Sequence, residues 1–182
     1  LGVAAAIVPA LIVAYIYAID VYEDEPLAVI GATMLWGVIT GAGFGVVSAG
    51  LVTITPGLAV TPTGALLRGV GLPVLGAAIA LIGPLFLLRR PAFNDVLDGV
   101  TFGAASGSAF LGAQTLAGAA DLLSGGLRPV GAAGPWLVQL LTVGVAQPIL
   151  SAAVAAIVAG TIWLQVRGPR RDRAAMGRLG DP

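Results

Sequence analysis

Five long stretches of this chain carry almost no charge, and such stretches limit the fold more than any motif does. Crossing a hydrocarbon layer of about 30 Å takes roughly 20 helical residues, and every backbone polar group inside it must be satisfied within the protein. The first stretch is Leu1 to Ile19, ended by the acidic cluster Asp20, Glu23, Asp24 and Glu25 and by Pro26. The second runs from near Leu27 to about Thr53, with Pro56 and Gly57 marking the turn beyond it. The third lies between about Leu58 and Leu88 and is interrupted by Arg68, Pro73 and Pro84. The fourth extends from about Val96 to Ala119 and the fifth from about Trp136 to Val166, where Gln147-Pro148 is expected to kink or split the helix. The expected fold class is all-α, a polytopic transmembrane helix bundle with about five spans. It forms one domain over residues 1–166, followed by an Arg-rich cytoplasmic tail over 167–182 that is expected to be solvated and poorly ordered.

Composition points the same way. Of 182 residues 58% are hydrophobic and 10% charged, against about 25% charged in soluble domains, so a water-facing surface cannot be assembled. The nine basic residues are all Arg, and the chain has no Lys, His or Cys. Disulfides, thiol chemistry, Cys or His metal sites and imidazole acid-base catalysis are thereby excluded, and neither a metal nor a soluble cofactor is expected. The chain opens on Leu1 without a basic leader; this reads as an incomplete N-terminus, with earlier helices allowed for, rather than as a signal peptide.

Basic residues in short loops stay on the cytoplasmic side. With five spans, Arg89, Arg90 and the tail residues Arg167, Arg170, Arg171, Arg173 and Arg178 share one side, against Arg128 on the other. The C-terminus is therefore expected inside, together with the acidic loop Asp20 to Glu25, while the loops around Pro56 and from Asp121 to Pro135 fall outside.

Gly37, Gly41 and Gly45 form a small-residue rib on the second span, and Gly99, Gly103 and Gly107 form one on the fourth. Ribs of this kind let backbones approach closely where lipid gives no hydrophobic drive, so both are read as helix-packing seams. Neither follows a strand or fits a phosphate-cradling loop, and nothing points to nucleic acid or nucleotide.

Three polar side chains fall at membrane depth: Arg68, Gln114 and Gln147, all in the outer half of the bundle. An intramembrane polar group is expensive and marks a functional candidate. One reading is a shared polar pocket; the plainer and preferred one is that each amide satisfies a carbonyl at a helix break while Arg68 snorkels outward. Asp95 and Asp98 open the fourth span, where carboxylates suit a helix N-terminus. The acidic cluster Asp20 to Glu25 reads as a solvated loop and the basic tail as a topogenic signal. Trp136 and Trp163 stand where interfacial aromatics sit, and Trp36 is unremarked.

Two motifs resemble a known family. The succession Tyr15-Ile16-Tyr17, Asp20, Tyr22, Glu23, Glu25 and Pro26 is similar to the opening motif of the PrsW family. Phe93, Asp98-Gly99, Gly103, Gly107 and Phe110 resemble its fourth-helix pattern at matching intervals. The resemblance covers about Leu1 to Val166 and implies a polytopic intramembrane protease, related to the prenyl-protein endopeptidase and bacteriocin-processing superfamily. It also implies where the catalytic groups would stand, and there this chain departs. The family's Glu-Glu pair corresponds to Gly64 and Ala65, with the base kept as Arg68; its Glu-Asn corresponds to Gln114 and Thr115; its histidine aligns best with Gln147. Hydrolysis needs a water activated by a carboxylate or a metal and a group that takes up a proton, which Gln cannot do near neutral pH.

The expectation is a non-catalytic homologue, a pseudoprotease that serves as scaffold or accessory subunit of a membrane protein assembly. Its partners would be the lipid bilayer and other transmembrane proteins, engaged through the glycine seams and the vestigial site. A divergent protease using Asp98 with Asp20 or Glu25, and a small transporter or channel with Arg68 as anion site, are the alternatives. Many Ala, Gly and Arg residues with no Lys suggest a high-GC bacterial genome and hence a bacterial plasma membrane.

Overall fold

The computed structural model describes residues 27–54, 61–118 and 141–167, with isolated helical positions at 7, 10, 11, 14, 15, 134, 137 and 138. Most of the expected first span, the acidic cluster Asp20 to Glu25, the loops around Pro56 and from Asp121 to Pro135, and the tail beyond Arg167 lie outside the described residues. Four long helices carry the rest: α1 (Leu27–Ile54), α2 (Pro62–Leu87), α3 (Val96–Gly118) and α4 (Thr142–Arg167). No strand occurs among the described residues.

Among the described residues three helices, α1, α2 and α4, are long and apolar enough to cross a membrane, as in an integral membrane protein. Helix α3 begins and ends almost where the sequence places the fourth span, but its many Gly, Ala and Ser residues leave it less apolar than the other three. The reason is its position. It packs against α1, α2 and α4, and over half its residues, from Asp98 to Ala113, are buried; a helix enclosed by protein has little lipid to satisfy.

The contacts fix an alternating up-and-down arrangement. Gly37, Gly41 and Gly45 meet Ser106, Phe110 and Gln114 in turn, so α1 runs parallel to α3. Gly99, Gly103 and Gly107 meet Trp163, Ala155 and Ser151, so α4 runs antiparallel to it. Trp36 lies against Gly83 and Phe44 against Gly76, which sets α2 antiparallel to α1. Both glycine ribs thus lie against helices of the same chain. A Cβ at Gly103 would stand 2.5 Å from the Ala155 carbonyl oxygen, and one at Gly41 would strike the Phe110 backbone. The partner helix expected along Gly99 to Gly107 is therefore the chain's own α4.

Size is distributed inside out. The interior is Ala, Gly and Ser, with Ala105, Ala159, Ser106 and Ser108 almost wholly buried. Large apolar side chains such as Ile39, Val74 and Ile157 face outward, each more than 60% exposed. Water would not tolerate that surface, and lipid does.

Three of the large buried aromatic side chains gather at one end. Phe93 meets Phe102 edge to face at 5.1 Å, and Phe102 meets Trp163 at 6.4 Å. Trp163 is fully buried, so it is a core residue and not an interfacial aromatic: Gly99 leaves the space that its indole fills. At the same end the Arg167 Nη2 donates to the Leu88 carbonyl at 2.7 Å. Arg167 is therefore the docked end of α4, not the start of a solvated tail.

Proline inside a helix leaves a carbonyl without its usual donor, and each interior proline among the described residues, Pro73, Pro84 and Pro148, comes with a local adjustment. Pro84 denies the Ala80 carbonyl its usual donor four residues on; the buried Ser106 hydroxyl donates to it instead, at 2.7 Å. Ahead of Pro73 and of Pro148 the helix widens into a π turn, Leu67–Gly71 and Thr142–Ala146. The Leu72 N–H then bonds the Leu67 carbonyl, and the Gln147 N–H bonds that of Thr142. The helix at Gln147-Pro148 is accordingly continuous to Arg167, because one widened turn absorbs the ring.

Two stability tests follow from this packing. Gly103→Leu is expected to cost at least about 1–3 kcal/mol by overpacking, whereas Gly31→Ala, with nothing within 4 Å of its Cβ, should be neutral or stabilising by up to about 1 kcal/mol. Thermal unfolding in detergent reads both. Ser106→Ala should cost about 0.6–2 kcal/mol, but less than half of that in a Pro84→Ala background, where a new N–H serves the Ala80 carbonyl. An undiminished cost in the double variant would contradict the carbonyl assignment.

Candidate functional site

The alternating helices bring four helix ends together: the C-terminal parts of α1 and α3 and the N-terminal parts of α2 and α4. There a cavity of ≈ 770 Å³ opens, within the range of about 300–1,000 Å³ common for small-molecule sites. Helices α2 and α4 form its sides, α3 its back and α1 one edge.

The two widened turns position its polar groups. Arg68 sits within the π turn Leu67–Gly71, and Gln147 directly follows the π turn Thr142–Ala146. Turns of this kind often mark functional positions because the extra residue re-aims the side chains around it. Gln114 comes from α3, one position along the rib that packs on Gly45. All three line the same cavity. The preferred sequence reading, in which each amide is consumed by a carbonyl at a helix break, does not hold: neither Gln114 nor Gln147 makes a side-chain hydrogen bond among the described residues. Arg68 is half-buried and likewise has no hydrogen-bond or ionic partner among the described residues.

The other positions assigned to the site by resemblance stand apart. Gly64 is buried and Ala65 exposed, and neither these two nor Thr115 lines the cavity. Gly64 instead takes part in starting α2, its N–H donating to the Thr61 hydroxyl at 3.1 Å. What sequence reasoning missed is the apolar wall, Phe110, Leu111, Leu150 and Val154, together with Ser48 and Ser151. Single Leu and Val residues in an apolar chain carry no signal of their own. Both serines are already engaged, Ser48 with the Gly45 carbonyl and Ser151 with the Gly107 carbonyl across to α3.

Asp98 lies at the opposite end of α3, about 24 Å from Gln114 at roughly 1.5 Å per residue. It is buried, and its Oδ2 accepts the Asp95 N–H at 2.9 Å while Asp95 Oδ1 accepts the Leu97 N–H at 3.2 Å. Together the two carboxylates cap the start of α3, Asp98 on the N–H of Asp95 and Asp95 on that of Leu97. Among the described residues no group of His, Cys, Asp or Glu is placed to hold a metal ion. Comparison with protein-family models, with curated proteins and with solved structures returns no match to this chain.

The cap makes a measurable demand. Asp95→Ala and Asp98→Ala should each cost about 0.5–2 kcal/mol of stability, read by thermal unfolding in detergent. Asp98→Asn should cost clearly less, because a carboxamide oxygen still accepts the Asp95 N–H. Equal losses for Asn and Ala would mean that Asp98 does something other than cap.

Proposed function

We propose that this chain is a non-catalytic membrane protein with a PrsW-like helical core, which binds where proteases of that family cut. It serves as scaffold or accessory subunit of a membrane assembly, with about five spans, in a bacterial plasma membrane. The observation that carries this reading is the cavity's polar lining: one guanidinium and two carboxamides, with no carboxylate among the lining residues. Neither group takes up a proton near neutral pH, so the lining can hold and orient a bound group but cannot activate water. Asp98, the carboxylate within α3, is spent on the helix cap and lies at the far end.

Orientation is supported by the charges. Arg89 and Arg90 follow α2 at the end where Arg167 closes α4 on Leu88, and a cluster of Arg at one end favours the cytoplasmic side there. The C-terminus is then cytoplasmic and the cavity lies in the outer half of the membrane. Because both glycine ribs are filled by the chain's own helices, a partner helix meets the outward Leu, Val and Ile face instead.

Co-expression with a membrane-anchored reporter substrate is expected to give no cleavage, and Asp98→Asn to change nothing in processing. Cleavage that disappears in Asp98→Asn would overturn the non-catalytic reading. Purification in mild detergent should retain a second transmembrane protein in fixed ratio, whereas a chain that always runs as a lone monomer would remove the scaffold role.

A further inference from the structure

We infer that the cavity takes up an anionic amphiphile, a molecule with a carboxylate or phosphate head on a hydrocarbon tail. The inference rests on the binding reading above and names what is bound. Its first support is charge. Arg68 brings a full positive charge into a cavity whose lining holds no carboxylate, it has no ionic partner among the described residues, and a charge among apolar walls is costly until an anion meets it. A guanidinium binds carboxylate or phosphate through two parallel N–H donors, and the free carboxamides of Gln114 and Gln147 supply further donors for the remaining lone pairs.

The second support is the gradient of polarity along the cavity. The groups with unspent donors, Arg68, Gln114 and Gln147, stand at the end where α2 and α4 begin. From there the lining passes inward to Ala77, Ala80, Val154 and Ala155, a depth of about 18 Å along α2 at 1.5 Å per residue. A small hydrated anion would satisfy Arg68 and leave that apolar depth unfilled. A hydrocarbon tail one methylene thick fits the space, and its burial supplies the affinity that a single exposed ion contact lacks.

The shared chemistry has two sources, a free fatty acid or an anionic phospholipid of the surrounding bilayer, and one experiment separates them. The full chain, purified in dodecyl maltoside, is exposed to palmitate, hexanoate, dioleoyl phosphatidylglycerol or dioleoyl phosphatidylcholine, and retained ligand is read by native mass spectrometry. Palmitate or phosphatidylglycerol should be held at least tenfold better than hexanoate or phosphatidylcholine, and whichever of the two dominates identifies the source. Arg68→Gln should cut retention at least tenfold, Arg68→Lys should restore most of it, and Ala77→Phe should block the tail with Arg68 intact. Monodisperse elution and an unchanged thermal midpoint certify each variant as folded. Retention of hexanoate equal to palmitate, of phosphatidylcholine equal to phosphatidylglycerol, or of either anion undiminished in Arg68→Gln would overturn the inference. Those outcomes leave reporter cleavage and partner capture untouched, so failure here and failure of the non-catalytic reading are told apart.

Discussion

The contact between the backbone of α3 and the backbones of α1 and α4 sets the rest of the structure. In lipid there is no gain from moving a leucine out of the solvent, so helices associate through dispersion over whatever area they can bring close. Glycine at every fourth position removes the side chains that would hold the axes apart, and Gly41 against Phe110 and Gly103 against Ala155 bring backbone almost to backbone. Once α3 is held on both sides in this way, Trp163 has its slot beside Gly99 and Phe110 is free to turn toward Phe44, 5.7 Å away. The back wall of the cavity is the same helix, continued past its own glycine rib.

The prolines follow a second economy, that of carbonyl oxygens. Each ring removes one donor in a medium that supplies none, and the three interior prolines among the described residues are handled in two ways. Pro84 recruits a hydroxyl from a neighbouring helix through Ser106. Ahead of Pro73 and Pro148 the helix widens by one residue, in turns that contain Gly69, Gly71 and Gly144. The second solution has a by-product: the residue displaced by the extra position in each case stands at the cavity, Arg68 on one side and Gln147 on the other. The polar site thus comes from the same accommodation that lets two prolines exist in apolar helices.

Much of this was legible in the sequence because the bilayer imposes a simple code. Uncharged length gave the limits of α1 to α4 to within a few residues, except that residues 55–60 and 119–133 lie outside the description, and period-four glycine gave the seams. The grouping of Arg68, Gln114 and Gln147 followed from counting residues inward along antiparallel helices. Three things did not follow. Trp163 near a helix end matches an interfacial aromatic, and only the gap left by Gly99 on another helix shows it to be core. Arg167 reads as tail because nothing local reveals the Leu88 carbonyl it reaches, 79 positions earlier in the chain. That neither amide bonds a carbonyl among the described residues was missed because a π turn is a register choice that proline invites without dictating.

The inverted distribution of side-chain size has a consequence for how this protein can drift. On the outward face of α2 or α4, Leu, Ile, Val and Phe are interchangeable, since fluid acyl chains adapt to any branching, while a single Asp would be excluded. Along the inner face of α3 the rule reverses: Ser, Ala and Gly can trade places because a hydroxyl finds a carbonyl nearby, as Ser108 finds Ala105 at 3.1 Å, yet an added isopropyl group has nowhere to go. Sequences that keep this architecture would therefore vary in shape but not polarity outside, and in polarity but not volume inside, the opposite of the pattern by which water-soluble cores are usually recognised.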